Sequence, residues 1–188
     1  MSINIDLYED SGAVTSGRGA TQAIITDWNL KYSALSSTVY YPTAVLASAP
    51  LVRPTNPGEE FLSYKKYLSF KVDGTYTRVK NLRIKVTGTG SQASTPRLFY
   101  KFTNTYAVPD AAYDGDMMLL SSDGTVHSPV LYPYFSTTGP QNATSRSVVY
   151  GPNQTLYTNW IVVQMRIPYG CTAGNSAEFK LELVCDEY

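Results

Sequence analysis

The stretch Trp160-Ile161-Val162-Val163-Gln164-Met165-Arg166-Ile167 decides the fold. Ile161, Val163, Met165 and Ile167 share one parity, while Gln164 and Arg166 fall on the other. Successive strand side chains point to opposite faces, so this alternation reads as a strand with one face on a core. Residues 178–185, EFKLELVC, repeat it: Phe179, Leu181 and Leu183 oppose Glu178, Lys180 and Glu182. The two segments read as the arms of one hairpin, with Cys171 in its loop and Val163 and Leu181 as central core residues. In that geometry Cys185 stands about 23 Å from the loop, at about 3.3 Å per residue. A disulfide needs Cα atoms within about 7 Å, so both cysteines are expected as free thiols, in keeping with a reducing compartment.

The same period recurs outward along the chain. Leu82, Ile84 and Val86 alternate with Arg83 and Lys85, and Leu68, Phe70 and Val72 with Ser69 and Lys71. Ile3, Ile5 and Leu7 share a parity, as do Ile24, Trp28, Leu30 and Tyr32. Residues 98–102 and 147–150 are shorter candidates. About eight strands with one wet face each, separated by Gly, Pro, Asn and Ser, point to an all-β, antiparallel two-sheet sandwich. A jelly roll and an Ig-like Greek key both fit that count. No segment shows apolar residues at convincing helical spacing; the case against a helical turn is weakest in residues 107–120.

The 188 residues suit a single domain, 1–188, which at this length buries roughly 70% of its unfolded-chain surface and needs no metal or disulfide. Lys plus Arg is 15 and Asp plus Glu is 15. That balance argues against a chain held on nucleic acid or anionic lipid by net positive charge. No apolar run approaches the roughly 18 residues of a membrane span, and the N-terminus lacks a signal peptide's basic and apolar regions. Neither nucleic acid nor membrane is expected as a partner, and synthesis in the cytoplasm is.

Two connections are longer than loops in compact domains usually are, and such loops tend to be functional. Residues 33–60 contain Pro42, Pro50, Pro54 and Pro57; residues 121–146 contain Pro129, Pro133 and Pro140. Both also carry large side chains: Tyr40, Tyr41, Val45, Leu46, Leu51 and Val52 in the first, Val130, Leu131, Tyr132, Tyr134 and Phe135 in the second. Tyrosine is in excess, with 16 residues. It offers contact area, a hydroxyl and few rotatable bonds, as protein interfaces favour. Tyr40, Tyr41, Tyr106, Tyr113, Tyr132 and Tyr134 are the candidate interface residues. Stacking on sugars and simple covering of the sandwich ends are the rival roles. Residues 9–21 are small and polar enough to extend as an arm, within residues 1–21, over a neighbour.

Little points to catalysis. His127 is the sole histidine, with no acid placed to make it a base. Asp110, Asp114 and Asp116 gather three carboxylates, but without EF-hand spacing; turn chemistry explains them better than calcium. Glu59 and Glu60 are adjacent, so a regular strand would point them apart. Gly88-Thr89-Gly90-Ser91-Gln92-Ala93 opens no helix and reads as a hairpin loop rather than a dinucleotide site. No catalytic, cofactor or metal residue is assigned, and enzyme activity is not expected.

Residues 67–86, YLSFKVDGTYTRVKNLRIKV, resemble a β-sandwich segment of tailed-phage virion structural proteins. The marks are Phe70, Gly74, Thr75, Tyr76, Val79, Asn81, Leu82 and Arg83. The resemblance implies a virion component, such as a capsid-decoration or neck or tail-attachment protein, made in the host cytoplasm. It further implies homo-oligomers or docking on other virion subunits, and supplies no catalytic residues. The alternative is a carbohydrate-binding module of a host-recognition device.

Overall fold

A computed structural model of the chain describes residues 2–25, 54–58, 60–88, 97–110, 112–120, 130–170 and 179–187. In chain order the strands are β1 (Ser2–Thr15), β2 (Arg18–Ile24), β3 (Glu60–Leu62), β4 (Lys66–Thr75) and β5 (Val79–Gly88). They continue with β6 (Arg97–Thr103), β7 (Met118–Leu119), β8 (Val130–Leu131), β9 (Phe135–Ser136) and β10 (Val149–Tyr150). β11 (Leu156–Thr158), β12 (Trp160–Pro168) and β13 (Phe179–Glu187) complete them. Among the described residues the only helical element is a three-residue 3-10 turn, Pro140–Asn142.

The strands form two antiparallel sheets. The larger runs β2-β1-β4-β12-β6-β7, with β3 on β12 and with β11 joining β4 to β9. The smaller runs β10-β5-β13, with β8 also on β5. Leu68, Phe70 and Val72 of β4 and Ile161, Val163, Met165 and Ile167 of β12 cover one face of the large sheet. They pack in one core with Leu82, Ile84 and Val86 of β5 and Leu183 of β13. Each such side chain contributes about 1.5–3 kcal/mol on burial. The all-β sandwich read from the alternation is therefore the fold.

The expected hairpin of residues 160–167 with 178–185 does not form. β12 has β6 along one edge and β4 and β3 along the other, which leaves no edge for β13. β13 crosses to the small sheet and pairs with β5, Leu181 opposite Val86 and Leu183 opposite Ile84. Period-two alternation names the face of a strand, not its neighbour. Leu183 is buried and Leu181 only half-buried, so Leu181 is not the central core residue expected; Val163 is. The geometric case against joining Cys171 to Cys185 falls with the hairpin. Cys171 lies outside the described residues, and Cys185 makes no disulfide among them.

β5 and β6 also lie in different sheets, so no β5–β6 hairpin encloses the Gly-rich stretch. Residues 89–96 within it lie outside the described residues. Residues 9–21 belong to a hairpin of β1 and β2, turned by Ser16 and Gly17 at φ 51° and 78°. Two consecutive positive φ values suit the right-handed twist of paired strands. Residues 121–146 are not one structureless loop, because β8, β9 and the 3-10 turn fall within 130–146. In residues 107–120 the described backbone forms turns and β7, with no helix. Ile24 ends β2, whereas Trp28, Leu30 and Tyr32 lie outside the described residues.

Two marks of the quoted 67–86 segment have conformational work. Gly74 sits at φ 114°, and an added Cβ there would run into the Ser2 carbonyl of the neighbouring β1. Asn81 adopts φ 53°, unusual for a non-glycine residue. Its side chain donates to Asp186 at 2.6 Å, beside the shift in β5–β13 register.

Candidate functional site

The expected wet face of β12 is buried. Trp160 and Val162 pack with Tyr67, Tyr106 and Met117 in a second, smaller core on the outer face of the large sheet. Gln164 donates to the carbonyls of Ser63 at 3.1 Å and Ala112 at 3.2 Å. Arg166 donates to the Asp114 carbonyl at 2.9 Å, its guanidinium lying 3.8 Å from the Phe99 ring centroid and 4.5 Å from that of Tyr113. The polar parity of β12 thus ties down the segment around residues 112–114 that covers it. The apolar Trp160 and Val162, on that same parity, were the signal in the sequence for a second buried face.

The acidic triplet serves that cover. Asp110 accepts from Lys65 at 2.8 Å, and Asp114 pairs with Lys101 and lies 4.0 Å from Lys65. The Asp110 and Asp114 side chains also accept from the N–H groups of Ala112 and Asp116, the local turns expected of aspartate. Burial alone would push the Asp114 carboxyl up. The Lys101 hydrogen bond, the Asp116 N–H and the charges of Lys101 and Lys65 outweigh it and hold the carboxyl below its ordinary range. Among the described residues no group of three His, Cys, Asp or Glu side chains is placed to hold a metal ion. His127 and Glu59 lie outside the described residues, and Glu60 pairs across to Pro168.

The tyrosines separate. Tyr106 is 3% exposed, with its ring edge-on to Tyr67 at 4.9 Å and its hydroxyl donating to the Gly12 carbonyl at 2.7 Å. It is a core residue of this chain. Tyr113, 66% exposed, lies over Arg166 on the outer face of the large sheet. Tyr40 and Tyr41 lie outside the described residues.

Tyr132 and Tyr134 stand on a row of their own. From 130 to 135, Leu131, Pro133 and Phe135 turn inward and are buried, while Val130, Tyr132 and Tyr134 turn outward and are exposed. Pairing of Leu131 with Ile84 sets this phase at one end. At the other, buried Asn159 clamps the Tyr134 backbone, donating its N–H to the Tyr134 carbonyl at 3.0 Å and accepting the Tyr134 N–H at 3.2 Å. The Phe135 ring packs 5.7 Å from that of Tyr150. Arg146 lies 4.1 Å over the Tyr134 ring, and exposed Val148 and Val149 continue along the same edge of β5. The aromatic residues there are held by backbone on both sides rather than carried on a loose loop.

Compared with known proteins, the chain matches no family model, no curated protein and no solved structure.

Proposed function

We propose that the protein is a structural component of a multimeric particle, of the tailed-phage virion kind, and docks on neighbouring subunits along the β5 edge. The observation that carries this reading is the outward row of Val130, Tyr132 and Tyr134, extended by Val148 and Val149. A single exposed apolar residue needs no explanation, but a contiguous row marks an interaction surface. Its backbone is already fixed, so covering it costs little ordering entropy. Aliphatic Val130, Val148 and Val149 have neither the ring face nor the hydrogen-bonding groups that a sugar site uses, which favours protein over glycan. A stable contact would bury above about 1,000 Å², with the tyrosines as anchors.

The test replaces the anchors without touching the fold. Tyr132→Ala and Tyr134→Ala should melt like the parent chain yet lose occupancy in the native assembly. Parental occupancy of both variants would refute the reading. Saturable glycan binding by the isolated monomer, lost in Tyr132→Ala, would replace it with the carbohydrate-binding alternative.

A further inference from the structure

Among the described residues β2 forms one edge of the large sheet, and its residues Ala20, Thr21, Gln22, Ala23 and Ile24 are exposed in turn, with Ile24 at 56%. Natural edge strands are guarded by charge, proline, bulges or shortness, because an open edge is a template for pairing. The strands at the other ends of the two described sheet paths obey that rule. β13 carries Lys180, Glu182, Asp186 and Glu187, and β7 and β10 are only two residues long. β2 has no charged residue and no proline between Gly19 and Ile24, and its one charge, Arg18, is engaged by Asp10.

The phase of the ladder tells which groups face outward. The Ile25 N–H donates to the Leu7 carbonyl at 2.8 Å, and the register runs through Tyr8–Ile24, Glu9–Ala23 and Asp10–Gln22. Hydrogen-bonded and non-hydrogen-bonded pairs alternate along an antiparallel ladder. Ala23 therefore bonds inward to β1, while Ile24 and Gln22 turn N–H and C=O to the open side.

We infer that β2 pairs antiparallel with β2 of a second copy of this chain, about a two-fold axis at Gln22. A two-fold axis normal to the sheet maps the outward donors and acceptors of Gln22 onto their own complements, so the edge is self-complementary. Gln22 then exchanges two hydrogen bonds with its counterpart. Ile24 lies opposite the second copy's Ala20, which covers an exposed isoleucine with a small side chain. No charge faces its like within residues 19–24, and the formal net charge of zero sets no repulsion between copies. This inference is independent of the tyrosine row, which lies elsewhere on the molecule.

Sedimentation of the full chain over a concentration series should show a monomer–dimer equilibrium. Gln22→Pro removes an outward N–H that β1 does not use, at a position where an edge strand tolerates proline. Losing one donor from each copy should raise the dimer dissociation constant at least about tenfold, with the monomer's cooperative melt retained. A second arm uses chains with Cys171→Ser and Cys185→Ser. Gln22→Cys should form a disulfide-linked dimer, because facing Cα atoms in such a pair are about 5.5 Å apart. Thr21→Cys, displaced along the strand and on the opposite face, should not. A parent chain that stays monomeric throughout, a dimer indifferent to Gln22→Pro, or equal cross-linking at positions 21 and 22 would each overturn the inference. So would a monomer whose Gln22 amide resists hydrogen exchange, since another part of the same chain would then occupy the edge.

Discussion

The Asp10 carboxylate, wholly buried, grips the Arg18 guanidinium across the first hairpin through two hydrogen bonds, 2.7 Å from Nη2 and 3.0 Å from Nε. The Gly19 N–H adds a third at 3.3 Å. Bidentate geometry fixes direction as well as charge, so this pair pins β2 onto β1 beside the register shift between Ser11 and Val14.

Arg18→Ala leaves the Asp10 carboxylate buried without its countercharge. The expected cost is about 2–3 kcal/mol, toward the low side for a broken buried pair because the arginine side chain is 22% exposed. Urea melts measure it, and a change below about 0.5 kcal/mol, the level of an ordinary surface substitution, would show that the pair does not hold the hairpin.

Leu183→Ala should destabilise the chain by about 2–5 kcal/mol, the usual range for emptying a core leucine site. Leu181→Ala should cost less, because that side chain is half-buried at the margin of the same core. Equal losses in parallel melts would contradict the placement of β13.

Acid should loosen the cover over β12. The Asp114 carboxyl is depressed in the folded chain, so its stabilising contribution is fully present above the unfolded value of about 3.9 and is lost as pH falls below that toward the folded value. Asp114→Asn should lower stability at neutral pH and flatten the acid limb of the stability profile. An acid limb identical to the parent's would show that Lys101 and Lys65 do not act through Asp114.

The Cys185 thiol is pushed up by burial, then by the charges of Glu187 and Asp186, with Arg83 opposing. It should stay protonated at neutral pH and react with a thiol reagent more slowly than free cysteine. In a Cys171→Ser chain, reaction at the free-thiol rate would contradict this.

The alternation in 68–72, 82–86 and 160–167 carried the strands and their core faces, because one-sided burial writes itself directly into period two. Neighbour relations left no such mark. β12 and β13 look like hairpin arms in sequence, yet they face each other across the core. β2 escaped notice because residues 20–24 are wet on both faces, so nothing selects alternating apolar residues there. β7, β8, β9 and β11 are two or three residues long, too short to show a period, whereas β10 falls within the 147–150 candidate. Gln164 and Arg166 looked solvent-facing because their burial depends on carbonyls of residues 112 and 114, distant in sequence.

Of the candidate site, Tyr132 and Tyr134 were legible as large side chains between prolines. Their outward phase was not, since it is set by the Leu131–Ile84 pairing and by Asn159. Tyr106 carried the same sequence signal and is core. Aromatic content marks surface to be covered, without saying whether the chain covers it itself.

Hydroxyl-radical footprinting of the side chains, on the isolated chain and on its native assembly, tests the docking claim most directly. Tyr132 and Tyr134 should be oxidised readily in the isolated chain and several-fold more slowly in the assembly, while exposed Tyr169 provides the comparison. Equal oxidation of Tyr132 and Tyr134 in both states would contradict the account.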